Sequence, residues 1–393
     1  MLGGVGRYAA NLTDALRRLG AEVIVACNEK GNGDYYGLFP TNTHNSERLL
    51  EIVNDAKPDV VHVQFEPGLY GLIMDPTNPK NSRTYIDPFY RNCKIPIVTT
   101  FHSSYTFRDW MSQALMVKSG RYGRLGIPAR VAVRAWRNFI NYKPFNQINR
   151  EKLRLSQAGV CFSKSLSKSI GGGAYVIFHG SEPAIPTLSK ERARQRFSLP
   201  LDRRIAVVIG FRTITKGWDI LDKIEIPAGW IIVSNSAKGH YNKENLSIKL
   251  KRDTNFVDLQ KGYLNDEELS TLLFASDIVL LPYKITSGSG VMFDALAHGL
   301  PFVASDLEFF REFAKMNLGI ATKRNPKAFA KGIEELGNSY ETYWRAVDTF
   351  KRRLRWNFVA NQHIELYSSV VNSFNPALHI DSLKTHNRDD LAI

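Results

Sequence analysis

Along most of the chain, short and continuously apolar runs alternate with amphipathic stretches. Glu22–Cys27, Asp59–Phe65, Pro96–Phe101 and Gly159–Ser163 are such runs in the first half. A second series follows at Arg204–Gly210, Trp230–Ser234, Asp277–Pro282 and Phe302–Ser305. Runs that are apolar throughout, rather than at alternate positions, predict strands covered on both faces, as in parallel sheets. Helices are predicted between them. Arg7–Leu19 carries Tyr8, Leu12, Leu16 and Leu19 on one face, and Ser46–Ala56, Lys216–Lys223, Asn265–Ser276 and Val291–His298 follow. Asn265 ahead of Asp266, Glu267 and Glu268 reads as a polar cap before an acidic first turn.

Two strand–helix series predict two doubly wound α/β domains, with ligands expected where strand ends meet helix starts. The first domain is expected over residues 1–165 and the second over 175–345. The seam is expected within Lys164–Pro186, which Gly171-Gly172-Gly173 and Pro183–Pro186 punctuate. A long helical stretch, Ser339–Asn372, comes next, and a polar tail is expected over 373–393. Near the N-terminus, Gly3-Gly4-Val5-Gly6 opens a helix, a natural approach site for a phosphate or sugar. Such a turn normally follows a buried strand. The expectation is therefore a start upstream of Met1, or else a domain lacking its first strand.

Composition narrows the class. The chain has 393 residues, 44% of them hydrophobic, which suits two or three folded domains and excludes disordered and collagen-like readings. No apolar run nears the ~18 residues of a membrane span, and no signal peptide is recognised at the start. Cys27, Cys93 and Cys161 are far apart, fitting neither a metal-ligand spacing nor a disulfide framework, so a reducing cytoplasm is expected. The net charge of +14 predicts an anionic partner. About two thirds of it lies in the segment 108–154, with eleven Lys/Arg against Asp109 and Glu151. Trp110, Tyr122, Trp136, Phe139, Tyr142 and Phe145 are interleaved with those cations. An anionic membrane surface suits this mixture, a nucleic-acid surface suits it too, and a solvated helical insertion with one buried face is the plain alternative. No nucleic-acid-binding motif accompanies the charge, so nucleic acid is not the expected partner.

Two loops carry candidate chemistry. Gly210–Gly217 joins a strand to a helix and holds Arg212 and Lys216 four residues apart, which reads either as a diphosphate clamp or as a solvated loop. Thr286-Ser287-Gly288-Ser289-Gly290 also joins strand to helix, where backbone N–H groups and the helix dipole favour an anion. Asp294, one turn further on, is placed to accept from ribose hydroxyls, or is a surface carboxylate beside a tight turn. His102 and Glu66 each end a predicted strand. His102 reads as a core histidine or a sugar-facing one, and Glu66 as an acceptor-orienting carboxylate or a turn cap. His62 and His179 read as structural.

The stretch Leu281–Asp306 resembles the donor-binding signature of family-four retaining glycosyltransferases. Asp294-Ala295-Leu296-Ala297-His298-Gly299-Leu300-Pro301 is similar to that family's Glu-Ala-Met-Ala-x-Gly-x-Pro. Gly210–Gly217 resembles its diphosphate loop, Gly3–Gly6 its N-terminal glycine loop, and Leu354-Arg355-Trp356-Asn357 its crossover helix, here 346–372. The resemblance implies the GT-B fold, two facing Rossmann-like domains with the active site between them and a C-terminal crossover helix. It implies a nucleotide-sugar co-substrate (UDP- or GDP-linked), no permanently bound cofactor and no metal, and a glycan or lipid-linked hydroxyl acceptor at the inner face of the cell membrane. The implied donor residues are Arg212, Lys216, Thr286, Gly288, Ser289, Gly290 and Asp294. Gly3 and Gly4 form the glycine loop, His102 is catalytic, and Glu66 is on the acceptor side. Two departures stand out. The family's arginine follows the first glycine directly, where this chain has Phe211. Its paired glutamates fall on Thr286 and Asp294, so no carboxylate is available at the first place. Alternatives are a non-catalytic protein that keeps the fold, or another GT-B enzyme such as a sugar-nucleotide epimerase.

Overall fold

The computed structural model describes residues 4–115, 127–236 and 255–375. The chain divides into two compact units: residues 1–178 with 359–393, and residues 179–358.

Unit 1 runs α1 (Gly4–Arg18), α2 (Asn45–Ala56), β1 (Val61–Phe65), α3 (Asp87–Asn92), β2 (Ile97–Phe101), α4 (Phe107–Ser112), α5 (Ile127–Leu155), β3 (Ala158–Cys161), α6 (Lys164–Ser169) and β4 (Tyr175–Val176). Its four strands form one parallel sheet in the order β1-β2-β3-β4, with Phe65 opposite Phe101 and Thr100 opposite Val160. Every residue of β2 is buried, Thr99 and Thr100 included, as expected of a strand covered on both faces.

The predicted strand Glu22–Cys27 does not join the sheet. It makes one isolated parallel bridge, Ala26 to Tyr35. The Cys27 N–H donates to the Tyr35 carbonyl (2.9 Å), the Asp34 N–H to the Val25 carbonyl (2.8 Å), and the Val25 N–H to the Asp34 carboxylate (2.8 Å). Its hydrogen-bonding groups are thus used by the turn that follows, and Ile24 stays 41% exposed. Apolar character alone marks a strand only when a neighbour pairs with it.

Unit 2 runs α7 (Lys190–Gln195), β5 (Arg204–Gly210), β6 (Trp230–Ser236), β7 (Phe256–Asp258), α8 (Asp266–Ala275), β8 (Ile278–Leu281), α9 (Gly290–Ala297), β9 (Phe302–Ser305), α10 (Glu308–Ala314), β10 (Gly319–Thr322), α11 (Pro326–Asn338) and α12 (Tyr340–Phe350). Its sheet is parallel, in the order β10-β9-β8-β5-β6-β7. The core packs Val208, Trp218, Ile232, Leu280 and Val303 with Phe329, Ile333 and Leu336 of α11. The cap predicted at Asn265 is present as a reciprocal capping box with Glu268.

Two predicted helices are broken. Lys216–Lys223 is two 3-10 turns, Ile214–Lys216 and Trp218–Lys223, because Gly217 between them is left-handed (φ 67°). Ser339–Asn372 is α12, a 3-10 turn at Lys351–Leu354, and α13 (Trp356–Ser373), with Arg355 at ψ 135° interrupting the helical path. From Val359 onward α13 belongs to unit 1, so the chain returns to its first unit.

That return is tied by histidines. On β1, His62 bonds Tyr367 of α13 through Nδ1 (2.6 Å) and Thr100 through Nε2 (2.7 Å). His363 bonds the Val359 carbonyl (2.8 Å), and its ring lies 5.5 Å from that of His62. Burial pushes both imidazoles below their usual range, His363 to about 4 against a reference of 6.5. Between those two values the unfolded chain takes up protons that the folded chain refuses, so stability is full above pH 6.5 and falls as pH drops towards 4. A shift of this size corresponds to about 3 kcal/mol. Urea unfolding at pH 7 and pH 4.5 is expected to show the loss, and H363Q to flatten it. An equal pH slope in H363Q would contradict this account.

Candidate active site

In unit 2, four strand ends and their loops build one cluster. β5 ends at Gly210, whose φ of 115° requires glycine, and the chain then turns through Ile214–Lys216 to Gly217. A Cβ at Gly217 would lie 1.9 Å from the Pro282 carbonyl oxygen, so this loop is pressed against the end of β8. Arg324 fastens the contact. Its Nε donates to Pro282 (2.9 Å), and its Nη2 to the Gly217 carbonyl (3.0 Å) and the Asp219 carboxylate (2.5 Å). The Lys284 N–H donates to the Thr215 carbonyl (2.8 Å) from the other side.

The result seats Lys216 next to the second loop. Its ammonium stands 3.7 Å from the centre of the Tyr283 ring, a cation–π distance, and the Tyr283 hydroxyl lies 3.3 Å from Ser289 Oγ. Ser289 caps α9 by accepting from the Met292 N–H (3.2 Å). As at any helix start, the Gly290 and Val291 N–H groups have no acceptor within the helix. Thr286 bonds back on its own turn: its hydroxyl donates to the Gly288 carbonyl and accepts from the Gly288 N–H (3.2 Å). The Gly288 amide, expected to face an anion, is therefore already engaged. A Cβ at Gly288 would meet nothing within 4 Å, so packing does not demand glycine there.

Two predicted donor residues have partners within the protein. Asp294 is no surface carboxylate: it is 7% exposed and accepts from the Ser181 hydroxyl (2.6 Å). The Arg212 guanidinium, expected to clamp a diphosphate, is held by Asp258 at the end of β7 (2.6 Å) and stacks over Trp218 (5.0 Å). The other Asp258 oxygen accepts from Ser234 (2.8 Å). Nothing in the sequence pattern joins positions 212 and 258. Tyr283, Arg324, Asp258 and Ser181 were missed for that reason, being set by the fold rather than by local spacing. His179, read as structural, stacks on Phe293 (5.7 Å) and places Nε2 3.8 Å from where a Gly290 Cβ would be.

In unit 1, β1 and β2 lie side by side, and their C-terminal ends carry Glu66 and His102. The His102 N–H donates to the Phe65 carbonyl (3.0 Å), and its Nε2 bonds the Gln64 side-chain oxygen (2.9 Å). With the amide oxygen facing it, Nε2 carries the proton. The imidazole meets Tyr8 of α1 edge-on at 5.4 Å and Phe162 at 5.2 Å. The glycine-turn helix therefore packs against His102. Gly4 begins that helix with nothing within 4 Å of a built Cβ, and Gly3 lies outside the described residues. Glu66 opens the 3-10 turn Pro67–Leu69. Burial raises its carboxyl, while the Ser103 hydroxyl and the Gly68 N–H act to lower it. Among the described residues no three His, Cys, Asp or Glu side chains cluster as a metal site.

Two parallel α/β units, the second presenting a cation and a capped helix start at its strand ends, define a GT-B protein. The solved structures agree. Over 95% of this chain and 94% of the other, sucrose-phosphate synthase from Thermosynechococcus elongatus matches with a TM-score of 0.66 at 14% identity. HepE from Anabaena in complex with UDP matches at 0.62 and 14%, over 94% and 97% of the two chains. A putative UDP-N-acetylglucosamine 2-epimerase from Listeria monocytogenes matches at 0.55 and 12%, over 95% and 94%. No curated protein sequence matches the chain. The family model for Glycosyltransferase Family 4 matches residues 2–148, and that for Glycosyl transferases group 1 matches residues 219–339. The chain belongs to these family 4, group 1 glycosyltransferases.

Proposed function

We propose that this glycosyltransferase moves a sugar, with retention of configuration, from a UDP- or GDP-linked donor to a hydroxyl of a glycan or lipid-linked acceptor. The reading includes a cytoplasmic enzyme that engages an anionic membrane surface through the segment 108–154. The observation that carries the donor assignment is Lys216, seated on Tyr283 beside the Ser289-capped start of α9. A fixed cation and a helix N-terminus together favour a diphosphate. The UDP held by HepE, in one structure alone and in another with glucose, supports a nucleotide-linked donor.

The proposed reaction breaks the bond from the sugar anomeric carbon to the diphosphate and forms one to the acceptor oxygen. The acceptor proton passes to a leaving phosphate oxygen on the same face. Lys216 and the first turn of α9 stabilise the departing charge, so the reaction is taken to be metal-independent. Arg212, paired with Asp258, orders the loop that carries Lys216, and Asp294 with Ser181 flanks the nucleotide. His102 and Glu66 orient the acceptor hydroxyl.

Retention is testable by following the anomeric proton of the product by NMR with an α-linked donor. The expected product is α-linked in buffer containing a chelator. A β-linked product would contradict the same-face mechanism.

A further inference from the structure

On unit 1, α4 and α5 carry a ridge of exposed apolar side chains. Phe107, Val133, Trp136 and Phe139 are 46%, 45%, 66% and 55% exposed. The rings form one continuous array: Trp136 stacks on Phe139 (6.2 Å), and Phe107 meets Phe139 (6.3 Å) and Tyr142 (5.0 Å) edge-on. The base beneath them is firm. Trp110 stacks on Phe145 (4.7 Å), its indole N–H donates to the Asn138 carbonyl (2.6 Å), and the Asn138 amide donates to the Trp110 carbonyl (2.9 Å). Phe145, Ile148 and Asn149 supply the buried inner face of α5, so the ridge is a second, outward apolar face.

Charge accompanies that face. At 100° per residue, Ala132, Val133, Trp136, Phe139, Ile140 and Lys143 share about a third of the helix circumference. Arg130, Arg134 and Arg137 line up next to it. From Ile127 to Arg150 the helix holds five cations and no acid.

We propose that this ridge docks on the surface of an anionic lipid bilayer, with its rings at the headgroup boundary and its cations on lipid phosphates. The proposal rests on the membrane reading given above and deepens it by naming the face that binds. A second copy of the chain is disfavoured, because it would bring two copies of the cationic, acid-free stretch 127–150 together. Trp136 and Phe139 are stacked on each other, which uses ring faces that nucleic-acid bases would need. Phe107 follows His102 by five residues, at most about 18 Å of chain. Docking there brings a lipid-borne hydroxyl towards the strand ends that carry His102 and Glu66.

The test is co-sedimentation of the full chain with vesicles of phosphatidylcholine alone and of phosphatidylcholine mixed with phosphatidylglycerol. Wild type is expected to partition to the mixed vesicles about tenfold more strongly. W136S/F139S should lose about tenfold of that binding, and R137Q/K143Q should make the two vesicle types equivalent. Nucleotide-sugar hydrolysis without vesicles should be unchanged in W136S/F139S. Wild-type binding by W136S/F139S would overturn the proposal, as would a dimer that this variant dissolves in light scattering. Hydrolysis by wild type with no vesicle binding would remove the membrane reading and leave the donor reading intact. Vesicle binding without hydrolysis of any nucleotide sugar would do the reverse.

Discussion

Replacing Lys216 with alanine is expected to cut kcat/KM for the nucleotide sugar by about a hundredfold or more, the usual cost of removing one preorganised charge from a developing anion. The side chain is placed for this role by contacts on three sides. Gly217 holds the loop against Pro282, Arg324 bridges Gly217, Asp219 and Pro282, and the ammonium rests over the Tyr283 ring. Among the described residues its partner is thus an aromatic face and not a carboxylate, which leaves the positive charge uncancelled. K216R keeps the charge but presents a planar guanidinium to the ring, so it should recover only part of the rate. Thermal stability should stay close to wild type in both variants. A K216A enzyme with unchanged kcat/KM would refute the diphosphate assignment.

A second large effect is expected at the opposite edge of the same sheet. Asp277, just before β8, is 6% exposed and accepts from Arg194 (2.8 Å), the Ile205 N–H (2.7 Å) and Lys190. Arg194 is itself 6% exposed. D277A would leave its guanidinium buried without the carboxylate and would strip the Ile205 N–H at the start of β5 of its acceptor. Loss of one partner of a buried pair costs about 3–5 kcal/mol. Lys190 is half exposed and contributes little to that figure. The unfolding transition of unit 2 in urea should move by that amount, while donor affinity of the folded enzyme at low temperature should hold, since the donor loops leave the other ends of the strands. A shift under 1 kcal/mol would contradict the account of this network.

These two sites differ in how far the sequence announces them. The glycine turns at Gly210–Gly217 and Thr286–Gly290 are legible because local geometry demands particular residues: a left-handed glycine, a serine cap, a helix start. The parallel sheets are legible for a related reason, since Ile205–Ile209 of β5, all of β8 and Phe302–Ala304 of β9 are buried and form unbroken apolar runs. Pairings across the fold are not legible. Arg212 reaches Asp258 over 46 positions, and Asp294 reaches Ser181 over 113, by contacts that no local spacing encodes. Short strands also escape notice. Tyr175–Val176 and Phe256–Asp258 are too brief to show a pattern, and Gly319–Thr322 is only partly buried; all three are recruited by their neighbours. Glu22–Cys27 has the reverse character, strand-like in composition but bonded to the turn that follows it and to Arg17 of α1 instead of the sheet.

Thr286 shows both limits at once. Its position is found from the turn, and the absence of a carboxylate is plain in the sequence. The bond it makes back to Gly288 becomes visible only in the structure.

The most direct measurement is release of nucleoside diphosphate by purified full-length protein, across a panel of UDP- and GDP-sugars, with and without a chelator. Turnover of at least one donor is expected, undiminished by the chelator and lost in K216A. Failure to bind or turn over any nucleotide sugar would contradict it.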